Sequence, residues 1–270
     1  MILIDGLIGS AIPADDRGFA YGDGVFRTLV MRNGRPEFWA RHCARLAADC
    51  AALAITPPSS EALLADLHAV AVQMPDCAVR ITVTRGSGGR GYAAEPMPRA
   101  RRVVAAGPLP VYPESCRTNG VRVRYCDLRL AAQPRLAGVK HLNRLENVLA
   151  RAEWNDPAIA EGLLQDAEGH VIEGTRSNLF IVEGDVLATP DLSRCGVAGV
   201  TRDLVMEAAQ RHGMSCQIQT VDRRRLAAAD EVFLVNSLIG VWPVAALEDR
   251  TWHRFTVVPL VGKWLDAADR

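Results

Sequence analysis

The 270-residue chain has no apolar run long enough to span a bilayer, although hydrophobic residues make up 49% of it. Its first residues, MILIDGLIGS, lack the basic region and extended apolar stretch of a secretion signal. Neither sign of charge is in excess. Lys plus Arg and Asp plus Glu stand at 31 each, so nothing electrostatic points to nucleic acid or an anionic membrane as the main partner. The seven cysteines, Cys43, Cys50, Cys77, Cys116, Cys126, Cys195 and Cys216, are odd in number and contain no C-x-x-C pair. The expectation is a cytoplasmic protein with reduced thiols, no disulfide framework and no zinc site. The six histidines form no H-x-x-x-H pair, so no metal is expected. No internal repeat or low-complexity tract is evident.

What is present is enough chain for two domains with cores of their own. ILI, a turn at Asp5-Gly6 and LIG predict a hairpin, and RTLVMR turning at Asn33-Gly34 into RPEFW predicts a second. Helices are expected over 39–53 and 60–73, separated by Pro57 and Pro58, with Ser59 or Ser60 as the cap of the second. CAVRITVTR (77–85) and RRVVAAG (101–107) read as strands. The proline-rich GPLPVYPES that follows marks a linker. The expected division is an N-terminal domain over 1–107, a linker over 108–114 and a C-terminal domain over 115–270. Beyond the linker come the strands GVRVRYCDL, GLLQD, HVIEG, NLFIVEG, DVLATP and DEVFLVNSL, a helix VTRDLVMEAAQRHG closed by Gly213, and a last helix over 261–268. Strands and helices are segregated rather than strictly alternating, which gives α+β as the fold class.

GVKHLNRLENVLAR (138–151) places Leu142, Leu145, Val148, Leu149 and Ala152 at helical spacing. This predicts a helix over 140–153 with one buried stripe. Lys140 falls just before or within its first turn, an unfavourable place for a cation because a helix N-terminus carries partial positive charge. A solvated surface lysine is the plain explanation. The sharper one is an amine wanted neutral, which burial and nearby positive charge both favour and which can form a Schiff base or take a proton.

Four other stretches carry candidate chemistry. GSGGRG (86–91) matches G-x-G-x-x-G, but Pro96 and Pro98 soon follow Tyr92 and no helix opens there, so it is not a dinucleotide fingerprint. It reads as a flexible glycine loop, or as a mobile loop offering Arg85, Arg90 and Tyr92 to an anionic substrate. AGVTRD (198–203) sets Gly199, Val200 and Thr201 at a helix start, where amides and a hydroxyl can hold an anion, unless Thr201 is an ordinary cap. HCARLAADC (42–50) puts His42, Arg45 and Asp49 on one helical face, a solvated face when taken alone. VIEGTRSNLF (171–180) places Glu173 at a strand end before a polar turn, where a glutamate is usually exposed. Together these supply a lysine, a carboxylate, a phosphate cradle and an arginine, the protein parts of a pyridoxal phosphate site. A metal, flavin or nicotinamide cofactor needs different parts.

DRGFAYGDGVFRT (16–28), RHCARL (41–46), AGVKHLNRLENVLAR (137–151), EGTRSNLF (173–180), AGVTRD (198–203) and DEVFLVNSLIGVWPV (230–244) resemble, in order and across nearly the whole chain, the fold-type IV pyridoxal phosphate enzymes. That group contains branched-chain and D-amino acid aminotransferases and the 4-amino-4-deoxychorismate lyases. TRGSGGRGY (84–92), GVKHLNRLE (138–146) and Asn236 in VNSL are most similar to the lyases. The resemblance implies a two-domain α+β fold, with a small N-terminal α/β domain and a larger C-terminal α/β domain built on a mixed, barrel-like sheet. It implies pyridoxal 5'-phosphate as cofactor and a homodimer. It makes Lys140 the Schiff-base lysine and Glu173 the partner of the pyridinium nitrogen. Arg45, Val200 and Thr201 become the phosphate ligands, Val197 the apolar contact to the ring, and Asn236 and Ser237 further cofactor contacts. Thr28 stands near the reacting centre, and Arg90 and Tyr92 bind substrate. The activity implied is elimination of pyruvate from 4-amino-4-deoxychorismate to leave p-aminobenzoate, a folate precursor. An aminotransferase acting on branched-chain or D-amino acids, or a pyridoxal phosphate binder without activity, are the alternatives. One departure from the group stands out. Leu145 occupies the position where branched-chain aminotransferases carry a tyrosine bonded to the cofactor's phenolic oxygen.

Overall fold

The computed structural model describes residues 1–94 and 98–268 and divides them into two compact units. The first is Met1–Pro110 with Val139–Asn143, and the second is Val111–Gly138 with Arg144–Ala268. Five residues from inside the expected C-terminal domain thus pack with the N-terminal one.

The first unit is an antiparallel six-stranded sheet, ordered β2-β1-β6-β5-β3-β4, with helices on one face. Its strands are β1 (Ile2–Ile4), β2 (Leu7–Ile8), β3 (Gly24–Arg32), β4 (Arg35–Pro36), β5 (Cys77–Thr84) and β6 (Arg101–Gly107). Asp5-Gly6 and Asn33-Gly34 turn the two hairpins with positive φ at both central residues. The second hairpin is shorter than the sequence suggests. Pro36 has no N–H to extend the ladder, and Phe38, at φ 52°, turns the chain into a helix instead. The helices are α1 (Arg17–Tyr21), α2 (Trp39–Ala52) and α3 (Ser60–Gln73), with the Ser59 hydroxyl accepting the Ala62 N–H at 3.2 Å as the α3 cap. Leu29, Met31, Val79 and Ile81 from the sheet meet Leu46, Leu63 and Leu67 from α2 and α3 to make the core. Alternation therefore leaves Phe26 and Thr28 on the other face of β3.

The second unit is a nine-stranded mixed sheet. Its strands are β7 (Val121–Leu130), β8 (Ile159–Asp166), β9 (Val171–Gly174), β10 (Asn178–Glu183), β11 (Val186–Pro190), β12 (Ser215–Gln219), β13 (Glu231–Asn236), β14 (Gly240–Leu247) and β15 (Arg250–Thr251). The helices are α4 (Ser115–Thr118), α5 (Leu145–Arg151), α6 (Val200–Arg211), α7 (Arg223–Ala228) and α8 (Val258–Asp266). Leu179, Ile181, Leu234 and Trp242 belong to one buried cluster, and Cys126, Trp154, Leu164 and Ile172 to another. All seven cysteines are free thiols.

The helix expected over 140–153 is corrected. Its first residues run extended, with the Phe26 N–H donating to the Lys140 carbonyl and the Leu142 N–H to the Gly24 carbonyl, each at 2.9 Å. Main chain already spent on a strand partner cannot also open a helix, so α5 begins only at Leu145. Lys140 is therefore not in a helical first turn. The stripe is corrected too: Leu145, Val148 and Leu149 are 74%, 59% and 59% exposed.

Candidate functional site

In the first unit, Lys140 lies in the segment that pairs with the start of β3, and its Nζ stands 4.8 Å from the centre of the Phe26 ring. Thr28 is two residues along the same face, and its cross-strand partner on β5 is Arg80. The Arg80 guanidinium stacks on Phe26 at 3.8 Å. Arg80 was not singled out from the sequence. The signal for it was the alternation of Arg80, Thr82 and Thr84 on one face of a strand.

The α2 face bearing His42, Arg45 and Asp49 is not solvated. His42 and Asp49 are buried and Arg45 is half-buried. Arg27, on the core side of β3, pairs with Asp49 at 2.7 Å. Burial, with the charges of Arg27 and Lys140, pushes the His42 imidazole down from 6.5 to about 3, so it is neutral at ordinary pH.

Arg90 and Tyr92 are exposed. Their loop is hydrogen-bonded to α1 at three points. Buried Arg17 donates to the carbonyls of Gly91 at 3.0 Å and Tyr92 at 2.9 Å, and the Gly91 N–H donates to the Tyr21 hydroxyl at 3.2 Å. Arg85, offered above to an anionic substrate, bonds Asp23 at 2.7 Å and the carbonyls of Leu53 and Ala54 at 2.7 and 2.9 Å.

In the second unit, Glu173 at the end of β9 is 3% exposed, the reverse of the usual strand-end glutamate. Its Oε2 accepts the Val197 N–H at 2.8 Å, and the Val197 carbonyl accepts from Asn178 Nδ2 at 2.8 Å. Gly138 bonds to this same stretch, donating to the Gly196 carbonyl at 2.9 Å and accepting from the Ala198 N–H at 3.0 Å. Within the second unit, Gly138 is thus bonded to the same loop that bonds Glu173. Gly196, at φ 86°, has Ile172 and Leu192 methyls 2.8 Å from where a Cβ would sit, so the loop closes down on the carboxylate.

Helix α6 has Gly199 as N-cap, a residue with no side chain to cap the helix. Thr201 is therefore inside the helix, not its cap. Val200 and Thr201 are buried at an end whose amides and partial positive charge suit a phosphate. The turn after Glu173 is organised by a second acid that sequence reasoning missed. Buried Glu161 accepts from Thr175 N at 3.1 Å, from Ser177 Oγ at 2.9 Å and from Gly162 N at 3.0 Å. Nothing in the sequence near Glu161 points to a partner 14 residues away. Asn236 is engaged locally, donating to the Arg176 carbonyl at 3.0 Å and accepting from Leu238 N and Ile239 N at 2.8 and 2.9 Å. Its neighbour Ser237 is half-buried.

Asp166, Glu168 and His170 bring ligand atoms within 4.8 Å of one another. Asp166 bonds His170 Nδ1 at 3.0 Å and Glu168 pairs with Arg194 at 3.0 Å, so the cluster reads as ion pairing.

The sequence profile of amino-transferase class IV matches residues 24–247. The chain belongs to the class IV aminotransferase family. Among its relatives, the aminodeoxychorismate lyase of Vibrio harveyi is 36% identical over 92% of this chain and 91% of its own. The D-alanine aminotransferase of Bacillus licheniformis is 30% identical over 89% of this chain and 84% of its own. The crystal structure of 4-amino-4-deoxychorismate lyase from Pseudomonas aeruginosa is 45% identical, with a TM-score of 0.95 and full coverage of both chains. The fold is that of fold-type IV, as the class IV assignment requires. The cofactor of the family is pyridoxal phosphate. The donor set suits that group: an amine for its aldehyde, a buried carboxylate for its ring nitrogen, and open helix amides with a hydroxyl for its phosphate.

Proposed function

We propose that this protein converts 4-amino-4-deoxychorismate to p-aminobenzoate and pyruvate, using pyridoxal phosphate held by Lys140. The carrying observation is the full-length likeness, at 45% identity, to a lyase of that name. Arg45, Val200 and Thr201 would hold the phosphate, Val197 would pack on the ring, and Asn236 and Ser237 would complete the cradle. Glu173, shielded from water, would be the partner of the ring nitrogen. When bound, the cofactor supplies an electron sink for the carbon bearing the substrate's amine. Lys140, as a neutral amine, takes the proton from that carbon. The adjacent carbon–oxygen bond then breaks, and the Thr28 hydroxyl passes a proton to the departing enolpyruvate while regaining one from the Lys140 ammonium. The six-membered ring becomes aromatic, and pyruvate leaves as its enol. Arg90 and Tyr92 hold the substrate's anionic side, so that most of the barrier is met by positioning.

The covalent division into 1–107, 108–114 and 115–270 and a cytoplasmic location belong to the same reading. So does a homodimer, for which the bare apolar stripe of α5 gives a specific reason: a second copy would cover Leu145, Val148 and Leu149. The aminotransferase alternative keeps every cofactor residue and rests on relatives such as the B. licheniformis enzyme.

Turnover without a keto acid separates the two. The lyase releases p-aminobenzoate and pyruvate in equal amounts from aminodeoxychorismate alone, over many cycles. A strict need for a keto-acid acceptor would move the assignment to aminotransferase.

A further inference from the structure

The Asp49 carboxylate on α2 has partners of two kinds. Arg27 reaches its Oδ2 with Nε at 2.7 Å and Nη2 at 2.5 Å, and the two side chains are 3% and 4% exposed. The same carboxylate accepts the main-chain N–H of Lys140. The Lys140 carbonyl is taken by the Phe26 N–H at 2.9 Å. Both main-chain polar groups of the reactive lysine are therefore fixed, one by a strand and one by a buried ion pair. A buried pair of this kind is a weak source of stability, because desolvating the two charges offsets much of their attraction. Its presence under Lys140 calls for another reason.

We propose that Asp49 and Arg27 are positioning residues for Lys140: the carboxylate fixes the lysine's main-chain N–H, and the guanidinium holds that carboxylate in place. The inference rests on the reading of Lys140 as the reactive lysine. That residue must serve first as the cofactor's point of attachment and then as a base at a neighbouring carbon. Its amine has to swing while its Cα stays still. Burial raises the Asp49 carboxyl above its ordinary value, and the Arg27 guanidinium and the Lys140 N–H oppose that rise. The geometric need for Arg27 is plainer: it is the side chain that grips the buried carboxylate from the strand side. Neither residue needs to touch substrate or cofactor.

The chain has only two lysines, Lys140 and Lys263, which makes the clamp directly visible. Protein labelled with 15N-lysine gives two main-chain amide signals, and Lys263→Arg identifies them. Two double variants remove both buried charges but differ in one acceptor: Arg27→Met/Asp49→Asn keeps a side-chain oxygen for the Lys140 N–H, and Arg27→Met/Asp49→Leu does not. Arg27→Met/Asp49→Ala replaces the leucine variant should that one not fold. In the wild type and the asparagine variant the Lys140 amide proton should be shifted downfield and slow to exchange. In the variant without the acceptor it should exchange faster by about tenfold, the worth of one hydrogen bond. In the same variant kcat should fall by about 100-fold with KM little changed, as for a displaced reactive group. An unchanged Lys140 amide in the acceptor-less variant overturns the proposal, whatever the activity. A responsive amide in a chain whose wild type releases no pyruvate supports the clamp and overturns the lyase reading instead.

Discussion

Glu173→Gln changes one atom of a buried carboxylate and removes its charge. The Val197 N–H still finds an oxygen at this position, so the loop and the cofactor should both remain. On the proposed reading, the cofactor's ring nitrogen would lose its carboxylate partner. The expected result is retained absorbance from bound cofactor with kcat lower by roughly 100-fold, about 3 kcal/mol of transition-state stabilisation. His42 makes a different prediction at the same scale. With its folded value near 3 and its ordinary value 6.5, the unfolded chain takes up a proton in that interval which the folded chain does not. Stability contributed here is thus lost as pH falls, at up to about 1.4 kcal/mol per pH unit. Urea unfolding between pH 7 and 4.5 should show the wild type losing more stability than His42→Gln. Parallel curves for the two proteins would contradict the assignment.

Among the elements, α6 is held to the Glu173 loop by one side chain. Asn178 donates to the Val197 carbonyl and accepts the Gly199 N–H at 3.1 Å, and a Cβ on Gly199 would lie 2.3 Å from its Oδ1. Gly199→Ala should force Asn178 away, cost about 2–3 kcal/mol of stability and weaken cofactor binding; thermal unfolding and a pyridoxal phosphate titration would measure the two effects. Elements with local signals were legible in the sequence. Ser59 caps α3, Asp5-Gly6 and Asn33-Gly34 turn their hairpins, and Gly213 closes α6 with φ 75°. Elements set by distant partners were not. Helix α8 starts at Val258, three residues ahead of the expected 261, because the Glu231 carboxylate accepts the main-chain N–H groups of Thr256, Val257 and Val258 at 2.6, 2.9 and 2.9 Å. Strand β14 escaped notice because Pro243 sits in its middle, where a proline argues against a central strand. The extended run through Lys140 looked helical because its leucine spacing is helical, and only the pairing with β3 overrides it. The candidate site divides in the same way. Lys140, Glu173 and the AGVTRD turn stand out as residue types in a pattern. Glu161, Arg27 and the buried role of Asp49 depend on neighbours many residues away.

At the scale of the whole molecule, the stripe of Leu145, Val148 and Leu149 tests the expected homodimer. Sedimentation of the wild type should give twice the 29.3 kDa of one chain, and Leu149→Asp should shift the balance towards monomer. A wild-type monomer at working concentration would leave the stripe without its proposed cover. A further consequence lies in the path of the chain. Val139–Asn143 belong to the first unit, yet the residues on both sides of them belong to the second. The polypeptide therefore lends a short segment backwards, bridged to the start of β3 at Val25 and His141, across a connection that is already closed. Cleavage at a protease site inserted within 108–114 should not free two fragments. The piece beginning after the cut carries a segment that packs with the piece before it, bonded to β3 through Lys140 and Leu142. The nicked protein should migrate as one species on gel filtration and as two on a denaturing gel. It should come apart under native conditions only when that contact is weakened, for example by Leu142→Pro, which removes the N–H that Leu142 gives to Gly24.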